Sequence, residues 1–253
     1  MSAVDRLAER IRAARSVVAL TGAGISVPSG IPDFRTPGRG LWARVDPMEV
    51  AHIDVWRRDP VRFWAFYGQR FQTLRGTRPN RAHAILVELA RRGLLDAVVT
   101  QNIDRLHAQA GSGGPGGGEL VELHGTIGTS SCLSCGARLP LEAVQARLDA
   151  DPEGVPRCDC GRPLKPDVVL FGELLPAAAL ERAQALAVGA DVLLCIGTSL
   201  EVFPVAELPE LTLRAGGAVA LVTQGPTRLD GRALVKLDGD VVAELEALLA
   251  ALG

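Results

Sequence analysis

Four of the five cysteines fall in two short pairs, Cys132-Leu-Ser-Cys135 and Cys158-Asp-Cys160. Thiolates at such spacing can chelate one ion tetrahedrally, and zinc with four Cys ligands is the usual structural site. Gly136 and Gly161 follow the pairs and suit knuckles in which the backbone bends tightly around an ion. The single residue between Cys158 and Cys160 makes simultaneous ligation tight, and redox thiols or unrelated buried cysteines are the other readings of these residues. With all four ligands supplied by protein, such an ion would organise its surroundings and do no catalysis. Cys195 lies inside the apolar run VLLCIG and reads as a core residue.

Other residues point to a polar ligand. Thr21-Gly22-Ala23-Gly24-Ile25-Ser26 follows a short apolar run, where a glycine turn lets backbone amides approach a pyrophosphate. A dehydrogenase fingerprint would require glycine at 27, and Val27 stands there. The next loop, Ser29 to Arg35, places Asp33, Phe34 and Arg35 together; it reads as a nucleotide clamp, with Arg35 for phosphate and Phe34 as a shielding face, or as a plain surface loop with an ion pair. Thr100-Gln101-Asn102-Ile103-Asp104 begins at a strand's C-terminal end, the place where α/β folds hold ligands. Gln101, Asn102 and Asp104 are poor residues for a buried strand end unless something polar binds there. Of the four histidines, His124 alone ends a strand and precedes glycine, so it is the candidate functional imidazole. His52, His83 and His107 lie on or near helical segments and read as packing or capping residues. There is no G-x-S-x-G, H-E-x-x-H or Walker loop, so serine-triad hydrolysis, zinc proteolysis and P-loop phosphate hydrolysis have no basis.

These residues need a scaffold. The 253 residues suit one large domain with a smaller module, and 47% hydrophobic with 22% charged residues is a globular mixture that excludes general disorder. The net charge of -2 argues against a polybasic nucleic-acid coat, no apolar run reaches a membrane span, and the N-terminus lacks a signal-peptide core, so a cytoplasmic protein with no nucleic-acid or membrane partner is expected. Short apolar runs at 16–20, 97–100, 120–123, 191–196 and 218–222 read as buried strands. Helical patterns separate most of them, including 1–15, a helix capped by Asn80 and ended by Gly93, and a closing helix over 240–252. Strands apolar on both faces alternating with helices predict a doubly wound α/β fold with a parallel sheet. Two segments break the alternation: Gly111 to Gly118, expected to be a flexible surface loop without a chemical role, and about 126–165, the candidate small module. Aromatic residues are 4% of the chain, so the core must be mostly Ala, Val and Leu.

The motifs together resemble those of the sirtuins. They are GAGISVPSGIPDFR (22–35), TQNIDRLHAQAG (100–111), ELHG (122–125), the cysteine pairs, KPDVVLFGE (165–173) and GTSLEVFPVAELP (197–209), and they occur in family order over nearly the whole chain. The resemblance implies a large Rossmann-like domain (1–125 and 166–253), a small inserted zinc-binding module (126–165) with further small-domain helices around 36–78, and NAD-dependent protein lysine deacylation at the cleft between them. By motif, Gly22, Ala23, Gly24, Ser26, Asp33, Phe34, Arg35, Gln101, Asn102, Ile103 and Asp104 would hold the pyrophosphate, ribose and nicotinamide end of NAD. Gly197, Thr198, Ser199, Thr223, Gln224 and Val241 would contact the adenosine half, although Thr223 stands where many relatives have Asn. His124 matches the catalytic base, with Asn102 and Asp104 beside it. Val169, Phe171 and Gly172 belong to one of two edges, the other being the segment after Leu200, between which an acyl-lysine peptide is added as a strand. Cys132, Cys135, Cys158 and Cys160 would hold one structural zinc.

In that family the acyl oxygen attacks C1′ of the NAD ribose and nicotinamide departs; the base then activates the ribose hydroxyls, and the products are lysine and O-acyl-ADP-ribose. No protein nucleophile is needed, which agrees with the missing triad. Tyr67-x-x-Arg70 falls on one face of a predicted helix and is similar to the pair found in sirtuins that remove succinyl, malonyl or glutaryl groups, where a guanidinium can fork onto the acyl carboxylate. The alternatives are ADP-ribosyl transfer or NAD hydrolysis by the same site, and a zinc-ribbon interaction module on a scaffold that senses nucleotide without turnover.

Overall fold

The aliphatic runs form the strands expected of them. The computed structural model describes residues 1–33, 40, 45–74 and 76–253. Its strands are β1 (Val17–Thr21), β2 (Ala97–Thr100), β3 (Glu119–Glu122), β4 (Gly125–Ser131), β5 (Arg138–Pro140), β6 (Lys165–Val168), β7 (Val192–Ile196), β8 (Ala218–Val222) and β9 (Val235–Leu237). Six of them make a sheet in the order β3-β2-β1-β7-β8-β9, every pair parallel. β1, β2 and β7 are buried along their whole length, as β-branched and leucine side chains covered on both faces require. The chain leaves β1 toward β2 on one side and returns to β7 on the other, so a topological switch point lies at the C-terminal ends of β1 and β7.

The helices are α1 (Ala3–Ala13), α2 (Pro47–Val50), α3 (Ile53–Arg58), α4 (Pro60–Leu74), α5 (Arg81–Arg91), α6 (Leu106–Ala110), α7 (Leu141–Ala150), α8 (Ala177–Gly189), α9 (Leu208–Arg214) and α10 (Val241–Leu252). On one face of the sheet α1, α5 and α10 bury Leu7, Ile11, Leu86, Leu89, Leu245 and Leu248; on the other, α8 and α9 bury Ala183, Ala187 and Leu208. Asn80 caps α5 as its position suggests, its Oδ1 accepting from the Ala82 N–H at 2.8 Å. Its amide also donates to Ile25 O and Ser29 Oγ at 2.8 and 2.9 Å, which ties α5 to the 3-10 helix Ala23–Ser29 behind the glycine turn.

The remaining strands form an antiparallel sheet, β5-β4-β6, on which α2, α3, α4 and α7 build a third core. Little apolar periodicity marks this part of the sequence because β5 and β6 are short and β4, mostly Gly, Thr and Ser, carries an irregularity between Gly125 and Ser130. Aromatic packing fills it: Phe63 stacks on Tyr67 at 4.5 Å, and Trp64 meets Phe63 and Phe71 edge-on. The Trp56 and Trp64 indoles both donate to Leu164 O, at 3.0 and 3.1 Å, joining α3 and α4 to the chain just before β6. The glycine-rich stretch after α6 is a knit turn rather than the slack loop its composition suggests. Gly113 N–H donates to Gly118 O at 3.0 Å, Gly117 N–H to Gly114 O at 2.9 Å, and a Cβ at Gly117 would sit 1.9 Å from Gly111 O. Glycine is there for close backbone approach.

Candidate active site and metal centre

A cleft of about 1070 Å³ opens at the switch point, between the ends of the parallel strands and the aromatic unit. The turn after β1 and the turn after β7 form its floor. Gly22 N–H donates to Ile196 O at 3.0 Å and Gly24 N–H to Gly197 O at 2.9 Å. A Cβ on Gly24 would stand 2.7 Å from Gly197 Cα, and one on Gly197, at φ +61°, would stand 2.3 Å from Ile25 N, so neither turn tolerates a side chain. Gly22, Ala23 and Gly24 line the cleft, and the turn continues as a 3-10 helix with Val27 at the cleft wall. Asp33 also lines it; Phe34 and Arg35 lie outside the described residues.

The 101–104 loop crosses over β1 and closes against both turns. Gln101 Nε2 donates to Thr198 Oγ1 at 2.9 Å, and Asn102 Nδ2 donates to Gly22 O at 3.0 Å and Ser26 Oγ at 3.3 Å. Gln101, Asn102 and Ile103 line the cleft. Ser26 and Asp104 do not: they sit behind Asn102, with Ser26 Oγ donating to Asp104 Oδ2 at 2.7 Å and the Leu106 N–H to Oδ1 at 2.9 Å. Burial raises the Asp104 carboxyl above the usual range, and these two donors oppose that shift.

His124 leaves the end of β3 into the cleft. Its Nδ1 is 2.8 Å from Gln101 O. A carbonyl oxygen only accepts, so Nδ1 carries the proton and the Nε2 lone pair is the ring's basic site. The His124 carbonyl accepts the Val169 N–H at 2.8 Å, which holds the 169–172 segment along the same cleft. There Phe171 pairs with the strand-like 51–53 segment through both its N–H and its C=O, at 3.0 and 2.9 Å. The chain turns directly around that pairing: the Leu170 C=O accepts the Glu173 N–H at 3.0 Å, and Gly172 stands at φ +83°. A buried Lys165 braces the bend: its Nζ donates to Val168 O and the Glu173 carboxylate, each at 2.9 Å, while Glu173 accepts the Leu170 N–H at 2.9 Å. Val169, Phe171 and Gly172 all line the cleft, as do Gly197, Thr198, Ser199, Thr223, Gln224 and Val241 toward its other end.

Tyr67 and Arg70 reach the same cleft from α4. Burial drives the Tyr67 phenol up to about 12 despite the opposing charge of Arg70, and burial lowers the Arg70 guanidinium from its ordinary value. A cation desolvated at a cleft wall favours an anionic partner. Val202 and Phe203, in the expected second edge after Leu200, line the wall together with Leu174, Leu175 and Leu180; nothing in the types of these three leucines marks them, and only the fold brings them to the cleft. The other three histidines are structural in their immediate contacts: His52 caps α3 through the Asp54 N–H, His83 completes the Asn80 capping box, and His107 is buried against Thr21.

About the metal centre, the fold brings together all four cysteines of the two pairs, with every Sγ within 4.8 Å of the others and the 132–160 and 135–158 pairs at 3.5 Å. Tetrahedral thiolates at Zn–S distances near 2.3 Å stand about 3.8 Å apart, so this set fits a zinc ion and the Cys-x-Cys spacing is no obstacle. Each knuckle is closed by backbone bonds, Gly136 N–H to Cys132 O at 2.9 Å and Gly161 N–H to Cys158 O at 2.8 Å. The Cys135 and Ser134 N–H groups draw the Cys132 thiol down to about 6, toward the thiolate a metal needs. Cys195 is separate, fully buried in β7 with its thiol pushed up by burial.

Comparison with known proteins agrees with this arrangement. Residues 22–204 match the Sir2 family. The chain is 44% identical over 240 residues to an NAD-dependent protein deacylase of Deinococcus radiodurans, with 94% of this chain and 95% of that protein covered. It is 43% identical over 225 residues to an NAD-dependent protein deacetylase of Sulfolobus acidocaldarius, covering 89% and 85%. A solved structure of Sir2 with a deacetylated p53 peptide and 3′-O-acetyl ADP-ribose superposes with TM-score 0.90 at 37% identity, covering 98% of this chain and 97% of that one. One of Sir2 with p53 peptide and NAD+ gives 0.87 at 36%, covering 99% and 98%. With a family match across most of its length and relatives of this similarity along nearly all of it, the chain belongs to the Sir2 family, the sirtuins.

Proposed function

We propose that the protein is an NAD-dependent protein lysine deacylase acting at this cleft. One observation carries the reading: the Nδ1–H of His124 is committed to Gln101 O at 2.8 Å, which leaves a basic Nε2 in the same cleft as Asn102, the Gly22–Gly24 turn and the 169–172 segment. NAD, when bound, supplies an activated ribose carbon that accepts the acyl oxygen as nicotinamide leaves. The chain's residues do the rest. The Gly22, Ala23 and Gly24 turn presents backbone to the pyrophosphate, with Asp33 on that side; Gly197, Thr198, Ser199, Thr223, Gln224 and Val241 take the adenosine half. Asn102, Ile103 and Gln101 orient the ribose and nicotinamide end, Ser26 and Asp104 brace them from behind, and His124 accepts a ribose hydroxyl proton.

An acyl-lysine peptide lies as an added strand between 169–172 and the segment after Leu200, both of which line the cleft. Tyr67 and Arg70 extend the activity to acidic acyl groups, the guanidinium pairing with a succinyl or malonyl carboxylate. Cys132, Cys135, Cys158 and Cys160 hold a structural zinc. The chain divides into a large domain, 1–125 and 166–253, and an inserted module, 126–165, joined by the helices between 47 and 74.

The decisive assay detects O-acyl-ADP-ribose by mass spectrometry from acetyl and succinyl peptides. His124→Ala should abolish it with the fold intact; near-normal turnover in that variant refutes the assignment. Nicotinamide release that does not depend on acylated peptide would favour glycohydrolase or ADP-ribosyl transfer instead. Arg70→Met should cut desuccinylation about 10- to 100-fold relative to deacetylation, the worth of a charged hydrogen bond, and an unchanged ratio rejects the acidic pocket.

A further inference from the structure

The ends of β1 and β2 carry a hydrogen-bond chain that the deacylase reading leaves unused. In the parallel register Thr21 lies beside Thr100 and Thr100 beside Glu122, and the two threonines close strands, β1 and β2, that are otherwise aliphatic. Thr21 and Thr100 are 0% and 2% exposed, so each hydroxyl must be satisfied internally or cost desolvation. The two hydroxyl oxygens are 2.8 Å apart, Thr21 Oγ1 is 2.9 Å from His107 Nε2, and the Asn102 backbone N–H donates to Thr100 Oγ1 at 3.1 Å. The chain therefore runs from a buried imidazole on α6, across two strand ends, to the residue whose side chain grips Gly22 O and Ser26 Oγ.

We propose that His107, Thr21 and Thr100 are positioning residues: His107 Nε2–H donates to Thr21, Thr21 donates to Thr100, and Thr100 holds the Asn102 N–H, which sets the Asn102 side chain in the cleft. The proton order follows from the partners. Thr21 Oγ1–H donates to Thr100 Oγ1, which also accepts the Asn102 N–H, so Thr21 Oγ1 is left to accept from the imidazole. His107 Nδ1, buried with no hydrogen-bond partner among the described residues, is on this assignment a bare lone pair; the opposite tautomer would orphan an N–H, the costlier outcome. Burial, with the His83 ring 4.8 Å away, holds the His107 pKa down to about 3, so the ring stays neutral while the enzyme works.

The inference rests on the deacylase reading for its kinetic test but not for its spectroscopic one. Thr21→Val keeps the shape and removes the hydroxyl; Thr21→Ser restores it. Expected for Thr21→Val is a fall in kcat for peptide-dependent nicotinamide release of up to about 100-fold, the effect of a small misplacement, with peptide KM unchanged and most of kcat recovered in Thr21→Ser. A purely structural role would lower the thermal midpoint and leave kcat per folded molecule and its rescue untouched. Independently, 15N NMR of the wild-type imidazole should show the Nε2–H tautomer of His107 with no titration between about pH 5 and 8. An Nδ1–H tautomer, a His107 that titrates near neutrality, or an unchanged kcat in Thr21→Val overturns the proposal. Because the NMR measurement needs no turnover, failure of this device is distinguishable from failure of the deacylase assignment.

Discussion

The two halves of the molecule bury different chemistry. Around the parallel sheet both cores are aliphatic, built from Val, Leu, Ile and Ala with Cys195, and hold no Phe, Tyr or Trp among the described residues. The unit on the small antiparallel sheet gathers Trp56, Phe63, Trp64, Phe66, Tyr67 and Phe71, most of the chain's scarce aromatic residues. A flat parallel sheet offers two regular faces that short aliphatic side chains tile at native density. Three strands and four helices offer no such face, so large rings fill the irregular volume, and four cysteines stand placed to chelate an ion at the knuckles. The cleft lies between the two, with its glycine turns from the regular half and Tyr67 and Arg70 from the aromatic half.

Chelation should separate the halves most sharply. Structural zinc is worth about 10 kcal/mol or more in small metal folds, so stripping it, or Cys132→Ser, should collapse the near-UV signal of Trp56 and Trp64 and abolish activity while much of the sheet's far-UV signal survives. Elemental analysis should find one zinc per chain beforehand; loss of both signals together would deny that the halves differ in what holds them. Next in size is Trp64→Ala. It should cost about 3–5 kcal/mol by urea denaturation, nearly all of it packing, because Leu164 O keeps the Trp56 donor. A loss below about 1 kcal/mol would mean the aromatic core is not well packed.

Acid should probe the aliphatic half instead. Burial lowers His83 to about 4, against about 6.5 when exposed. In the unfolded chain the imidazole binds a proton as pH falls through 6.5, while the folded protein holds it neutral until about 4. The unfolded state therefore binds more protons in that window, and stability is lost as pH drops from about 6.5 to 4, by roughly 3 kcal/mol from this residue. Urea midpoints followed by far-UV circular dichroism should fall across that interval, and His83→Gln should remove about half of the dependence, the buried His107 supplying the rest; an unaltered slope would place the acid sensitivity elsewhere.

Much of this was legible in the residues. Short aliphatic runs ending in glycine turns specify parallel strands, Asn80 announces the start of its helix, and the cysteine pairs announce a metal. Legibility failed where periodicity is absent. β5 and β9 are only three residues long, β4 is seven but mostly Gly, Thr and Ser, and Leu174 to Leu180 become cleft wall only because the fold brings them to the same cleft as Phe203. His107 read as a packing residue, and its alignment with Thr21 and Thr100 is a matter of register between strands 79 positions apart.

The sequence by itself determined the fold class, the turn that must stay glycine, the thiol set and the imidazole at a strand end, because each is written in local residue type and spacing. Only the tertiary structure decided that Ser26 and Asp104 stand behind Asn102 rather than in the cleft, that Gln101 O selects the His124 tautomer, and that Cys160 closes the metal set despite its short spacing. Those are properties of distance between remote segments, which strand register and helix packing set and which no local pattern encodes.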